Sequence, residues 1–131
     1  MSCRLLDDRG VASTELTLLF GLIILLTLFP IQVALLWHAQ QNATLAAELA
    51  LDVAQVETAT ADEAEEIGLG ILASAGQVVN PRVVVVRDVG GTDLVTVTVS
   101  GDLRYQILPL GWSVSSVAEG RIEEFVGEDD R

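Results

Sequence analysis

The residues best suited to chemistry lie together near the start of the chain, in Gly10-Val11-Ala12-Ser13-Thr14-Glu15, which runs directly into an apolar stretch. A carboxylate at the mouth of a membrane-length helix is costly, about 2.5–3.5 kcal/mol for an Asp at the centre of a span on insertion scales and less near the interface. The plain account is an interfacial Glu resting among headgroups. Spacing suggests a more specific one. If the chain is cut after Gly10, Glu15 becomes the fifth residue of the product, one helical turn from a new, positively charged α-amino group at Val11. In a packed array of such helices, the Glu15 carboxylate of one chain can pair with the Val11 amine of its neighbour. Gly10 and Val11 are therefore the candidate processing site, and Glu15 is the candidate assembly residue.

Other residues of the right type lack partners at the right spacing. His38 is the single histidine, so neither a His-based metal site nor a Ser–His–Asp arrangement can be built on a second one, and it is read as an interfacial side chain. Asp62, Glu63, Glu65 and Glu66 spread around the start of a helix, where acids favour the helix dipole; a solvated face explains them better than a metal cluster. Asn42-Ala43-Thr44 matches a glycosylation triplet by chance in a bacterial chain. Gly90-Gly91 lacks the following helix that a phosphate loop requires. Cys3 is the only cysteine and precedes the apolar run, so it forms no internal disulfide and is read as incidental. No catalytic residue, cofactor or metal is expected.

The elements that must carry these residues are segregated along the chain. Half of the 131 residues are hydrophobic, yet the formal net charge is -12. No Asp, Glu, Lys or Arg occurs from residue 16 to 47, and nearly all acids follow. Such a balance argues against nucleic acid, whose phosphates need clustered Lys and Arg. It also matches anionic headgroups poorly, so the outer domain is expected to stand off the membrane surface. All seven basic residues are Arg, a hint of a GC-rich bacterial genome.

Residues 16–37 would span about 33 Å as a helix, enough for the hydrocarbon core. Trp37 and His38 follow where a secretory signal would carry a small-x-small cleavage site, so the span is an anchor. Arg4 and Arg9 before it, with Glu48, Asp52 and Glu57 after it, favour a cytoplasmic N-terminus. Helical spacing continues past the membrane: Leu45, Leu49, Val53 and Val56 form the expected apolar face of one rod from about Val11 to about Val56, rich in Ala. Pro30 should kink it or loosen it locally. Thr60-Ala61-Asp62-Glu63 fits a capping box opening a second helix, with Ala64, Ile67, Ile71 and Ala75 as its apolar face and Gly76 as its stop. Gly68 and Gly70 weaken that helix, which needs packing against the first. After Asn80-Pro81 the period becomes two. A strand is expected at 83–89, a hairpin loop at Gly90-Gly91-Thr92-Asp93 and a second strand at 94–100. Gly101-Asp102 is expected to turn into a third strand at 103–108, and a weaker fourth is expected at 112–118. The tail from Gly127 is acidic.

At this point a resemblance is clear. Gly10, a Glu five positions on and an unbroken apolar helix resemble the processing site of type IV prepilins. Asp8-Arg9-Gly10-Val11-Ala12-Ser13-Thr14-Glu15-Leu16 resembles the opening of TadE-like minor pilins, or pseudopilins, of tight-adherence systems. Trp37-His38-Ala39-Gln40-Gln41-Asn42 and the Ala-rich run after it are similar to the helix that follows. The ending Ala118-Glu119-Gly120-Arg121-Ile122-Glu123-Glu124-Phe125 resembles the close of actinobacterial members. The major tight-adherence pilin has Tyr or Phe where Leu16 stands and is much shorter, so the resemblance implies the accessory type.

The expectation is an α+β, pilin-like fold: a long N-terminal transmembrane helix continuing outward, a short second helix and a small antiparallel sheet. The organisation is a leader at 1–10, a transmembrane helix at 11–37, an extracytoplasmic domain at 38–126 and an acidic tail at 127–131. The resemblance implies a non-enzymatic pilus subunit in the cytoplasmic membrane, cut by a prepilin peptidase after Gly10. Its implied partners are that peptidase, other pilins and pseudopilins, membrane-platform proteins and lipid, with no direct contact to nucleic acid. The rival expectation is a permanently anchored, uncleaved protein whose outer domain binds a partner.

Overall fold

A computed structural model describes residues 8–56, 58–88 and 93–122, with side chains from residue 13 onward. The leader positions 1–7 with Cys3, Glu57, the loop at 89–92 with Gly90-Gly91, and the stretch from Glu123 with its acidic tail lie outside the described residues. The element order is α1 (Asp8–Ala54), α2 (Ala61–Ala75), β1 (Val78–Asp88), β2 (Leu94–Leu103) and β3 (Ser113–Arg121), the α+β arrangement expected for a pilin-like chain. The chain divides into two compact units, Met1–Ala34 and Leu35–Arg131.

The described part of the first unit is helix, and from residue 18 to 31 it carries apolar side chains all round with Thr27 as the one polar exception. Leu16, Leu18, Phe20, Ile23 and Phe29 are all more than half exposed, so nothing in the unit buries them. A helix with no polar face is solvated by lipid rather than by water, and α1 is long and apolar enough to cross a membrane. Two of its hydroxyls are satisfied internally: Thr17 Oγ1 donates to the Ser13 carbonyl at 2.9 Å and Thr27 Oγ1 to the Ile23 carbonyl at 2.8 Å. That back-bonding is how a threonine tolerates hydrocarbon. The helix assignment continues through Pro30, whose ring nitrogen leaves the Leu26 carbonyl without its usual donor.

The second unit packs two helical segments on one face of a three-stranded antiparallel sheet of order β1-β2-β3. Val95, Val97 and Val99 of β2 are fully buried in alternation with Thr96, Thr98 and Ser100, the period-two pattern of a half-buried strand. Above them lie Ala39, Ala43, Ala46, Ala47, Ala50 and Ala54 of α1, all with no exposure, and Ala64 and Leu72 of α2. The core is therefore alanine against valine. The expected face of α1 is overturned here: Leu45 is 47% exposed, Leu49 39% and Val56 48%, and only Val53 packs against the core. Small side chains let the helix lie close to a β-branched surface, whereas Leu at those positions would hold the layers apart.

In α2 the expected boundaries hold. Thr60 accepts from the Glu63 backbone while the Glu63 side chain accepts from the Thr60 backbone, and Gly76 ends the helix at φ 65°. The buried face is rotated from the expected one. Ala64, Gly68 and Leu72 are buried and Ile71 half-buried, while Ile67 is 40% exposed. Gly68 explains the rotation. A Cβ there would stand 3.1 Å from Val83 Cγ2 and 3.5 Å from Ala50 Cβ, so the missing side chain sets how closely α2 approaches both β1 and α1.

The strands differ from expectation in number and limits. β1 starts before Asn80-Pro81 rather than after it, and passes through them as a bulge: Val79 pairs with Asp102 and Arg82 with Ser100, so two residues oppose Gly101 alone. Asn80 takes the left-handed conformation (φ 51°), and its Nδ2 donates to Asp102 Oδ2 at 3.2 Å. Gly101-Asp102 is thus interior to β2 and not a turn. Gly101 is needed because a Cβ would collide with Val78 Cγ1 and press on the Val79 carbonyl. Residues 103–108 do not form a third strand. Leu103 ends β2, a loop follows to Trp112, and the expected fourth strand is the third, β3.

Hydrogen bonds fix which ends of the second unit coincide. At the end where α1 enters, Gln40 Nε2 donates to the Ser115 carbonyl (2.7 Å), Asn42 Nδ2 to Gln77 Oε1 (3.4 Å) and the Arg104 N–H to the Gln77 carbonyl (2.8 Å). At the far end, Gln55 Nε2 donates to the Arg121 carbonyl (3.0 Å) and Arg87 Nη2 to the Ala54 carbonyl (2.7 Å). β3 therefore runs alongside α1 in the same direction.

Candidate functional site

The candidate site is a stretch of helix, and helix formation there follows from composition. Ala12, the Leu residues and Glu15 favour helix, while Gly10 is the one poor former, costing about 1 kcal/mol relative to Ala. Gly10 and Val11 lie inside α1, which already begins at Asp8. The peptide bond between them is thus held in helical conformation, and Gly10 is the position where opening it costs least. Glu15 follows on the same helix with its side chain exposed. Helical geometry puts Val11 and Glu15 on one face, about 6 Å apart along the axis. The arrangement contains no nucleophile–base pair. What it offers is a single carboxylate at the start of an apolar helix.

The other candidates fall where simple physical roles explain them. His38 is exposed and lines a shallow, open depression with Trp37, Gln41, Asn42 and Glu48. Among the acids of α2, Glu63 closes the capping box, and Glu65 Oε1 accepts the N–H of Val85 at 3.4 Å, covering a donor on the edge strand β1. Among the described residues, no group of three His, Cys, Asp or Glu is placed to hold a metal ion.

Two features were not expected from sequence. One is Gln32, fully buried within an otherwise lipid-facing stretch. The other is the loop between β2 and β3, where Gln106 acts as a brace: its Nε2 donates to the carbonyls of Leu103 (3.1 Å) and Trp112 (3.4 Å), and its Oε1 accepts from the Gly111 N–H (3.0 Å). Braced in this way, the loop presents Tyr105, Ile107 and Leu110 as exposed side chains. A Gln flanked by apolar residues was the available signal.

Comparison with known proteins places the first third of the chain. Residues 10–51 match the sequence profile of a family described as TadE-like protein. The matched segment opens at Gly10 and closes three residues before the end of α1, so it covers the candidate site, the apolar span and most of the alanine face. The close at 118–125 lies beyond it. Neither the curated protein sequences nor the solved structures contain a match to this chain.

Proposed function

We propose that this chain, a TadE-like protein across residues 10–51, is a minor pilin of a tight-adherence pilus, structural rather than catalytic, and that a prepilin peptidase releases its leader after Gly10. The observation that carries the proposal is the coincidence of the family match with one helix, beginning at the very glycine where the cut would fall. The exposed apolar surface of α1 supports it too, and in the second unit Leu45 and Leu49 of the same helix, with Val56 just after it, are also unburied. Neighbouring α1 helices are what we infer covers this surface, first among pilins in the membrane and then in or beneath a filament. The N-terminus lies in the cytoplasm and the second unit outside. The membrane-platform proteins and the peptidase are the partners this role requires.

The test is N-terminal sequencing of the protein from its native host. Processing after Gly10 gives a chain beginning at Val11, and Gly10→Val should accumulate uncut, because a small residue is needed at the cut. A mature chain that still begins at Met1 or Ser2 overturns the pilin assignment and leaves a permanent anchor.

A further inference from the structure

We propose that the groove between α2 and the part of α1 inside the second unit takes an amphipathic helix of another protein, one whose apolar seam runs between rows of Lys or Arg. The inference concerns the second unit alone and does not depend on cleavage. It goes beyond the pilin assignment by giving the chemistry of the neighbour and by ruling out a second copy of this chain in that place.

The groove follows from how the two helices lie. α2 begins at Ala61, soon after α1 ends at Ala54, and past its far end Gln77 Oε1 accepts from Asn42 Nδ2 at 3.4 Å, so α2 runs back along α1. The helices touch at Gly68 and Ala50, where a Cβ on the glycine would stand 3.5 Å from the alanine Cβ. Gln40 and Gln55 tie one flank of α1 to β3. At about 3.6 residues per turn, Leu45, Leu49 and Val53 fall on the opposite flank, the one turned toward α2. On α2, Glu65 reaches Val85 at the free edge of β1, so Ile67 and Ile71 fall on the flank turned toward α1. Val53 and Ile71 pack against the core and make the floor. Leu45 (47% exposed), Leu49 (39%) and Ile67 (40%) stand above them as open apolar walls.

Such a groove suits a helix. The backbones of α1 and α2 are satisfied internally, so an extended segment laid there would find no partners for its own N–H and C=O groups, whereas a helix brings its own. Charge selects which helix. No Lys or Arg occurs from residue 35 to 75. Glu48 and Asp52 flank the leucines on the outer side of α1, Glu63 and Glu66 flank Ile67 on the outer side of α2, and all four are exposed. The arginines among the described residues of this unit lie elsewhere. Arg82 and Arg121 alternate with inward-facing strand residues and so belong to the other face of the sheet, and Arg104 follows the end of β2. Arg87 Nη2 donates to the Ala54 carbonyl at 2.7 Å, on the sheet side of α1. An acidic rim repels an identical rim, an anionic headgroup and nucleic acid alike, and attracts Lys or Arg. The rim thus selects the partner, and the leucines and Ile67 supply the burial.

The test uses the full chain, uncut, in nanodiscs of phosphatidylcholine. The probes are two labelled helical peptides of about five turns, each with a Leu seam, one flanked by Lys and the other by Glu. Anisotropy is read against empty discs. The Lys peptide should bind the protein at least about tenfold more tightly than the Glu peptide. Glu48→Lys with Asp52→Lys and Glu66→Lys should reverse that order; if this variant does not fold, Glu48→Gln with Asp52→Asn should weaken the Lys peptide alone. Leu45→Ser with Leu49→Ser should weaken the Lys peptide at least about tenfold with the circular dichroism unchanged. Equal binding of the two peptides, or binding of neither, overturns the proposal. So does a preference for Lys that survives the charge changes, since the peptide then sits elsewhere. Binding that follows the charges but ignores Leu45 and Leu49 overturns it as well, leaving attraction to an acidic surface without a groove. Self-association of the chain that Leu49→Ser abolishes would make a second copy the occupant and would likewise overturn it.

Discussion

Glu15 is where the physics of a single residue decides between two kinds of protein. In a lone anchor its exposed carboxylate stays among headgroups, and Glu15→Gln changes little. In an array of helices it must approach apolar neighbours, and it needs the Val11 amine of another subunit. Losing one member of such a desolvated pair costs roughly 3–5 kcal/mol, because the other charge is stranded. Glu15→Gln should therefore be made, inserted and cut normally, yet fail to support pili. Surface piliation beside an immunoblot for the processed form checks this. Normal piliation removes the assembly role, and failed processing moves that role to the peptidase step. The order Gly10, Val11, Glu15 was legible from sequence because the motif is contiguous. The helical conformation at the Gly10–Val11 bond was not, since helix nucleation from Asp8 depends on the span that follows. A peptidase acting there must first open a turn, and glycine makes that easier.

Elements with local chemical boundaries were read correctly, and the antiparallel sheet was too, whereas the number and limits of its strands, which long-range pairing sets, were not. α2 is bounded by Thr60, Glu63 and Gly76, each acting within a turn of its own position. Gly101-Asp102 reads locally as a turn, and only the bulge at Asn80-Pro81 on the facing strand makes it an interior step of β2. The faces of both helices were misassigned for a related reason: hydrophobicity ranks Leu and Ile above Ala and Gly, but a close approach to a valine sheet selects the small residues. Two glycines of α2 make this measurable. Gly70 has open space where a Cβ would go, so Gly70→Ala should stabilise the domain by about 0.5–1 kcal/mol through helix propensity alone. Gly68→Ala gains the same propensity but drives a methyl against the branched side chain of Val83, which is stiff and buried. Overpacking costs about 1–3 kcal/mol, so the net effect should be a loss of about 1 kcal/mol. Urea midpoints of the two variants should move in opposite directions, and a shared upward shift would show that Val83 yields.

At the scale of the whole molecule, the segregation of charge from apolar length correctly announced an apolar N-terminal helix followed by an α+β unit. A fragment beginning at Ala39 keeps the alanine face, both helical segments and the sheet, and should give a mixed helix and strand spectrum by circular dichroism. An all-helical spectrum would refute the strands. Aggregation of a correctly folded fragment would mean that Leu45, Leu49 and Val56 need a partner in the absence of the span. What the sequence could not reveal was which of the domain's apolar residues belong to its interior and which to other molecules, because composition alone does not distinguish a core from an interface.

The glutamines that tie β3 to α1 have a consequence for how copies of this chain can meet. An edge strand with open carbonyls is a template on which another chain can lay a strand of its own, the usual route to strand exchange and fibrillar aggregation. Here the carbonyls of Ser115 and Arg121 are already taken by Gln40 and Gln55, and on the opposite border Glu65 occupies the amide of Val85. Both borders of the sheet are thus interrupted by side chains of the protein's own helices. Pairing of copies strand to strand is thereby disfavoured at these positions.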